Sequence, residues 1–235
     1  MEKMKKLIRW LIELFRTRPY SAILLLWPVE IAWYSILNHT QTLETSHVIY
    51  TPLDDKIPYI KYFVYIYVSW FVFIFCCLCY TLIKSKKDFL RCSTSALMGM
   101  YPTLLFCTLF PSWHLLRPAD TGGGLSGFIV SIIYASDNPA VIYPSMHVLV
   151  SLLLAIRMTF AESMKGKPVW KAFIIIHAVL ICLSTVFIKQ HSVADVLLAL
   201  VLVPVYDSVS RFLIWPDRRF EKKDAAKTKK ENENT

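Results

Sequence analysis

Long apolar runs separated by short polar breaks dominate this sequence. Runs long enough to cross a bilayer as helices cover 21–37, 59–82, 89–110, 145–160, 169–188 and 192–213. Turn residues or clustered charges mark the breaks between them. A further run at 128–134 is too short to cross, and we expect it to lie in the membrane interface. The pattern predicts an all-α integral membrane protein, a bundle of six transmembrane helices.

The two ends of the chain follow other patterns. Over 1–18, apolar residues such as Leu7, Leu11 and Leu14 share one helical stripe, and the Lys and Arg residues lie off it. This spacing predicts an N-terminal interfacial amphipathic helix rather than a cleaved signal peptide. From 217 onward aromatic and aliphatic residues nearly vanish, which predicts a disordered tail. We therefore expect one membrane domain over 1–216 and a basic cytoplasmic tail over 217–235.

Composition supports the membrane prediction. The 235 residues are 55% hydrophobic and 18% charged, whereas soluble domains are about 45–50% apolar and about 25% charged. Six spans would use about 120 residues, which leaves no room for a large second domain. The net charge of +9 would by itself fit either nucleic acid or anionic lipid as a partner.

The distribution of the positive charge decides between these partners. With six spans, 22 of the 26 Lys and Arg residues fall on one side, and the other side holds only Lys56, Lys61, Arg117 and Lys189. The positive-inside rule then places both termini in the cytoplasm of a multi-pass protein, most simply in the cell membrane. The membrane topology and contact with anionic membrane lipids account for the excess of basic residues, so we expect no nucleic acid partner.

Two histidine motifs stand at the outward ends of predicted spans. Pro144-Ser145-Met146-His147 opens the fourth span, and His191-Ser192-Val193-Ala194-Asp195 opens the sixth. Asp195 lies one helical turn after His191 and can accept a hydrogen bond from one ring nitrogen, which leaves the other free as a nucleophile or base. A carboxylate at membrane depth is costly unless it is paired or functional. These motifs predict an extracytoplasmic active site.

The same spans also predict an anion site. Both point their helix N-termini, with unpaired N–H groups and partial positive charge, at one outer pocket. Arg117 and Lys189 are two of the four outer basic residues, and we expect both to bind phosphate. The planar guanidinium of Arg117 suits phosphate oxygens better than an ammonium group does.

With these motifs the chain resembles the type 2 phosphatidic acid phosphatase superfamily of membrane lipid phosphatases and phosphotransferases. Its members have six spans and three motifs: Lys with Arg-Pro, then Pro-Ser-x-His, then Ser-Arg with His and Asp. The matching residues here are Arg117 and Pro118, then Pro144, Ser145 and His147, then Ser184, His191 and Asp195.

The resemblance implies metal-independent cleavage of a phospholipid phosphoester without a cofactor. His191 would attack phosphorus to form a phosphohistidine, Asp195 would orient and charge it, and His147 would protonate the leaving oxygen. Ser145 would join Arg117 and Lys189 in binding phosphate.

Two positions depart from the family pattern. Phe110 stands where the first motif has Lys, and Thr185 stands where the third has Arg. Such motifs are more similar to the branch with inositol phosphorylceramide and sphingomyelin synthases, which transfer a headgroup. Headgroup transfer is therefore the alternative to hydrolysis, and a non-catalytic lipid transporter is a third hypothesis. The lipid, the acceptor and the oligomeric state are left open.

The roles of two further residues are also open. Pro111-Ser112-Trp113-His114 repeats the Pro-Ser-x-His pattern, so His114 either lies near substrate or is a loop histidine. Glu30 stands in the middle of a span, where a carboxyl group is either functional or held by a hydrogen bond between helices. Zinc is not expected, because the outer histidines lack compact ligand spacing and no Cys accompanies them.

Overall fold

The computed structural model describes Lys6 and residues 13–214, and these form a mainly helical structure with very little sheet. The helices are α1 (Leu26–Thr40), α2 (Pro52–Lys56), α3 (Val64–Lys84), α4 (Lys86–Leu109), α5 (Gly124–Ser136), α6 (Met146–Thr159), α7 (Pro168–Phe187) and α8 (Val193–Leu213). Short 3-10 segments at Pro19–Leu25 and Lys61–Phe63 lead into α1 and α3, and Glu162–Met164 follows α6. The all-α prediction is confirmed. The predicted tail lies outside the described residues, as does most of the predicted amphipathic helix.

Five segments of the described chain are long and apolar enough to cross a membrane. They are Pro19–Thr40, Lys61–Lys84, Lys86–Leu109, Pro168–Phe187 and Val193–Leu213. Their outer faces carry exposed large apolar side chains such as Phe75, Val169 and Phe212, as expected of surfaces that face lipid. These features are compatible with a multi-pass membrane protein.

The predicted fourth span is shorter than the other five. Helix α6 has 14 residues, which gives it a length of about 21 Å against a hydrocarbon core of about 30 Å. The sequence predicted six full spans, whereas length supports five together with this short helix. The run at 128–134 belongs to α5, which has 13 residues.

The short helix α6 forms the centre of the bundle. Ten of its 14 residues are buried, and it packs against α3, α4, α7 and α8. Gly99 of α4 allows an especially close approach, because a Cβ at this position would lie 2.9 Å from Cγ2 of Val150. An apolar helix that is surrounded by other helices buries all of its faces, which explains why α6 lacks a polar stripe.

Polar residues and prolines explain where the long helices begin. The Ser85 hydroxyl caps α4 by accepting a hydrogen bond from the Asp88 N–H, at 3.2 Å. Ser145 precedes α6 and Ser192 precedes α8 in the same capping position. Pro168 begins α7, where its missing N–H costs nothing.

A small cap of loops covers the end of the bundle where α6 and α8 begin. Strands β1 (His47–Val48) and β2 (Ser112–Trp113) pair in parallel, and Trp113 also bridges to Ala140. These contacts tie the segments 41–60, 110–123 and 137–145 together. Strands of two residues show no hydrophobic alternation, so the sequence pattern did not predict them.

A buried ion cluster holds the opposite end of the bundle together. Arg157 of α6 pairs with Asp207 of α8 at 2.7 Å, and its guanidinium also donates to the Ser95 and Ser210 hydroxyls at 2.7 and 2.6 Å. Arg211 contacts the same Asp207 carboxylate from its exposed side, at 2.8 Å. The cluster joins α4, α6 and α8.

This cluster gives a stability prediction. Arg157→Met leaves the Asp207 carboxylate buried without its main partner, so we expect the free energy of unfolding to fall by about 3–5 kcal/mol. Thermal unfolding in detergent measures the loss. Arg211→Ala is the matched control and should cost about 0–1 kcal/mol, because Arg211 is largely exposed. Equal losses in the two variants would contradict the prediction.

Candidate active site

The first turns of α6 and α8 meet beneath the loop cap. The Ser145 N–H, which precedes α6, donates to the backbone carbonyl of Asp195 in α8 at 3.3 Å. The imidazole rings of His147 and His191 lie edge to face with centroids 5.7 Å apart. The structure thus brings the three predicted catalytic residues His147, His191 and Asp195 into one cluster.

The His191 and Asp195 side chains form a buried pair. Nδ1 of His191 lies 3.1 Å from Oδ2 of Asp195, and the Ser192 N–H donates to the same oxygen at 2.8 Å. A carboxylate only accepts hydrogen bonds, so the ring proton belongs on Nδ1 and the lone pair on Nε2. Because His191 lines the neighbouring cavity, this nitrogen is available to a bound molecule.

Aromatic rings hold His147 in place. Its imidazole stacks on Tyr67 with centroids 4.5 Å apart and packs on Trp70 at 4.2 Å. Nε2 of His147 has no hydrogen-bond partner among the described residues. A ring fixed in this way beside His191 suits the transfer of a proton to or from a molecule bound between them.

Arg117 contacts Gln190, the residue before His191, and is held by neutral acceptors. Its guanidinium donates to the carbonyls of Tyr134 and Asp137, at 3.2 and 2.8 Å, and to Oε1 of Gln190. It also lies 4.5 Å from the centroid of the Tyr134 ring. Burial lowers the pKa of Arg117, yet a guanidinium keeps its charge in proteins. Arg117 therefore supplies positive charge next to His191 through Gln190.

Lys189 does not join this cluster. Its Nζ donates to the backbone carbonyls of Asp54 and Ile57, both at 2.6 Å, and it lines a different pocket within the loop cap. The backbone of Lys189 is left-handed, with φ of 53°, and the two carbonyls hold the ammonium group away from the histidines. The predicted phosphate-binding role of Lys189 finds no support in this position.

Ser145 also has a local role. Its hydroxyl caps α6 by accepting a hydrogen bond from the Val148 N–H, at 3.4 Å, and its side chain is fully buried. It is not part of the cavity lining. The contribution of Ser145 to the site is thus to fix the start of the helix that carries His147.

Two side-chain nitrogen atoms near His191 lack partners in the described part of the chain. They are Nε of Arg117 and Nε2 of His147. Buried polar atoms are normally paired, so these unpaired nitrogens point to a missing acceptor such as an anion. His114 is neutral at physiological pH, because burial, together with the nearby Arg117 and His191, lowers its pKa to about 3.

The two positions that depart from the family motifs supply no cation. Phe110 stacks on the ring of His47 with centroids 4.2 Å apart. Thr185 acts through its carbonyl oxygen, which accepts hydrogen bonds from the N–H groups of Gln190 and His191 at 2.9 and 3.1 Å. Thr185 therefore holds the turn that presents His191.

A cavity of about 720 Å³ extends from the histidines between α1 and α3. His147, Gln190 and His191 line the end of the cavity beneath the loop cap. Its deeper walls are mainly apolar and aromatic, with side chains that include Trp27, Ile31, Trp70, Phe71, Ile74, Phe75 and Leu78. The cavity thus suits a molecule with an anionic end and a long apolar body.

Asp137 joins α1 to the end of this cavity beneath the loop cap. Its Oδ1 accepts hydrogen bonds from the Asn38 amide, at 2.9 Å, and from the Tyr34 hydroxyl. Burial raises the pKa of Asp137, although Tyr34, Arg117 and Asn38 act in the opposite direction. The contacts join α1 to the loop that also accepts hydrogen bonds from Arg117.

Asp54 is a site residue that the sequence analysis missed. Its Oδ1 accepts from the Val193 N–H at 2.8 Å, and its Oδ2 accepts from the Ser192 hydroxyl at 2.6 Å. The short helix α2 is thereby fixed to the first turn of α8. Thr51-Pro-Leu-Asp54 fits the pattern of a helix cap, but this pattern does not show a partner 138 residues away. No sequence signal marked Gln190.

No metal centre or disulfide arises from the described residues. They contain no group of three or more His, Cys, Asp or Glu side chains that could hold a metal ion. The six cysteines have free thiols.

Comparison with known proteins adds no assignment. No protein-family model matches the chain, and no curated protein or solved structure matches it significantly.

The contacts of Asp54 lead to a prediction. Asp54→Ala leaves the Ser192 hydroxyl and the Val193 N–H without their acceptor, so we expect the free energy of unfolding to fall by about 1–3 kcal/mol. Asp55→Ala is the matched control, because the neighbouring Asp55 is exposed and contacts only the Tyr50 hydroxyl as a hydrogen-bond acceptor. Denaturant or thermal unfolding measures the stability of the two variants. If Asp54→Ala lowers the free energy of unfolding no more than Asp55→Ala does, the role of Asp54 is refuted.

Proposed function

We propose that this protein is an integral membrane enzyme that cleaves a phosphoester of a phospholipid through a phosphohistidine on His191. The observation that carries the proposal is the buried His191–Asp195 pair, whose free ring nitrogen faces, beside His147, one end of an apolar cavity. The motif resemblance to the type 2 phosphatidic acid phosphatases supports the same chemistry.

In the proposed reaction the lipid phosphate lies at Nε2 of His191, on the side of the two histidines that lines the cavity, and the apolar chains occupy the cavity. The Nε2 lone pair of His191 attacks phosphorus, and the bond between phosphorus and the leaving oxygen breaks. His147, which takes up a proton when the anionic lipid phosphate binds beside it, gives that proton to the leaving oxygen. Water then attacks the phosphohistidine while His147 takes up a proton, which releases phosphate and regenerates His191.

Neighbouring groups account for the stabilisation of charge in this reaction. Asp195 stabilises the positive charge that His191 gains when it attacks. Arg117, the Gln190 amide and the N-termini of α6 and α8 supply positive potential for the phosphoryl oxygens. Lys189 has no part in the proposal, because backbone carbonyls hold its ammonium group elsewhere.

Headgroup transfer is the second candidate function, and the apolar cavity favours it. Walls that exclude bulk water leave an alcohol held in line with His191 as a competing acceptor. Purified enzyme with labelled phospholipid, with and without inositol, glycerol or ceramide, separates the functions. If phosphate or phosphorylated headgroup is released at the same rate with and without the added alcohol, and no new lipid forms, the reaction is hydrolysis. A new labelled lipid indicates transfer, and no product in any arm indicates a non-catalytic lipid transporter.

The proposed membrane arrangement has six crossings. Five are the long apolar segments, and the other is the short, enclosed helix α6, which is the fourth crossing in chain order. Both termini are cytoplasmic and the site is extracytoplasmic, because most of the positive charge then faces the cytoplasm. The loop cap and the first turns of α6 and α8 lie together on the outer side.

Cysteine labelling tests the arrangement. In a background without the six native cysteines, Asp120→Cys should react with a membrane-impermeant thiol reagent in intact cells, because the exposed Asp120 is proposed to face outward. Lys86→Cys is the matched control, since exposed Lys86 is proposed to be cytoplasmic and should react only after lysis. The reverse pattern would overturn the proposed orientation.

Substitution of the catalytic residues tests the mechanism. His191→Ala removes the nucleophile and Asp195→Ala removes its orientation, so by analogy with other triads we expect each to lower turnover by about a thousandfold or more. His147→Ala should instead accumulate phosphoenzyme when the leaving group departs without protonation. Labelled phosphate retained on the protein measures this species.

A control at the same end of the bundle accompanies these variants. His39→Ala removes an exposed histidine at the end of α1, and we expect it to leave turnover unchanged. Turnover near the wild-type value in His191→Ala would refute the phosphohistidine mechanism.

A further inference from the structure

Helix α1 presents one continuous stripe to the cavity, and this stripe contains a carboxyl group. Trp27, Glu30, Ile31 and Tyr34 all line the cavity and follow the spacing of residues on one helical face. Glu30 is 7% exposed and lies near the middle of the apolar segment Pro19–Thr40. Its carboxyl group therefore stands among apolar and aromatic side chains at membrane depth.

Glu30 has neither a hydrogen-bond partner nor a neighbouring cation within the part of the chain that the structure describes. The buried acids Asp54, Asp88 and Asp195, by contrast, all accept hydrogen bonds. An unpaired buried polar group costs about 1–3 kcal/mol, and carboxyl groups at membrane depth are rare unless they serve a function. Packing within the chain does not account for Glu30.

The position of Glu30 relates it to the reacting end of the cavity. Tyr34 lies one helical turn further along α1, about 6 Å nearer the end beneath the loop cap, and its hydroxyl contacts Asp137 there. Glu30 thus lies about one turn below the region of Asp137, Gln190 and His191. If the proposed function places the lipid phosphate at His191, the depth of Glu30 corresponds to the lipid backbone, between the phosphate and the apolar chains.

We propose that Glu30 binds a hydrogen-bond donor on the backbone of the lipid substrate, either a free hydroxyl or an amide N–H close to the phosphate. A carboxyl group accepts a hydrogen bond in either protonation state. The apolar walls offer the same contacts to lipids with and without the donor. Glu30 therefore selects the donor-bearing lipid. This inference rests on the proposed function for the placement of the phosphate.

Binding of phosphonate analogues, which the enzyme cannot cleave, tests this selection. The first pair of lipids has the same alkyl chain and differs only in a backbone hydroxyl or methoxy group. The second pair has an N-acyl sphingoid backbone and differs only in an amide N–H or N-methyl group. We expect methylation in one of these pairs to weaken binding to the purified full chain by about tenfold, which corresponds to about 1.4 kcal/mol. The pair that responds identifies the donor.

Three variants assign the effect to the carboxyl group. Glu30→Leu should reduce the discrimination to about twofold or less, whereas Glu30→Gln should keep most of it, because an amide oxygen still accepts. Trp27→Phe is the matched control on the same stripe and should preserve the ratio. Equal binding within both pairs by the wild type, or discrimination that persists in Glu30→Leu, would overturn the proposal.

Thermal unfolding separates binding from a structural role. Glu30→Leu should leave the melting temperature unchanged or raise it, because it replaces an unpaired buried polar group by an apolar one. A fall of several degrees would instead show that Glu30 stabilises the fold, and this outcome also overturns the proposal.

Because phosphonate binding needs no turnover, the experiment distinguishes this inference from the proposed function. Discrimination without any phospholipid cleavage would refute the enzyme and retain the subsite. Cleavage without discrimination would retain the enzyme and refute the subsite.

Discussion

Ser192 and Asp195 are buried at the start of α8, and the geometry of the site depends on how the backbone N–H groups there are satisfied. A helix N-terminus carries unpaired donors and partial positive charge, which favour carboxylates. Asp195 accepts from the Ser192 N–H and Asp54 from the Val193 N–H. The oxygen of Asp195 that caps the helix is also the oxygen beside Nδ1 of His191. The orientation of the imidazole is therefore a consequence of helix capping.

The same constraint fixes the second histidine. The backbone carbonyl of Asp195 accepts from the Ser145 N–H, so the start of α6 is held against the start of α8. The close approach of α6 to Gly99 of α4 and the aromatic rings around His147 leave that helix little freedom. The two imidazoles thus belong to rigid helix ends, which is the arrangement that precise phosphoryl transfer requires.

The sequence predicted those features that depend on local spacing. Helix α4 occupies Lys86–Leu109 against a predicted run at 89–110, because apolar residues and capping signals determine both. The pairing of His191 with Asp195 followed from helical geometry alone. The contacts of Lys189 were not predicted, because the direction of its side chain depends on a left-handed turn after α7 that an apolar pattern does not reveal. The contact of Asp54 with Ser192 joins distant segments, and a single sequence offers no signal for such pairs.

The shortness of α6 has a consequence for the substrate. An enclosed helix need not match the bilayer, because protein rather than lipid satisfies the polar groups at its ends. In the proposed arrangement, a helix of about 21 Å within a core of about 30 Å places at least one of its ends below the membrane surface. If that end is the one that carries His147, the phosphate site is recessed, and a lipid must sink its headgroup below the interface to react. The unpaired nitrogens around His191 and the carboxyl group of Glu30 are polar groups below the membrane surface. An acyl chain at that depth has no polar atom with which they could pair. They fit a lipid that brings its phosphate and its backbone down into the protein.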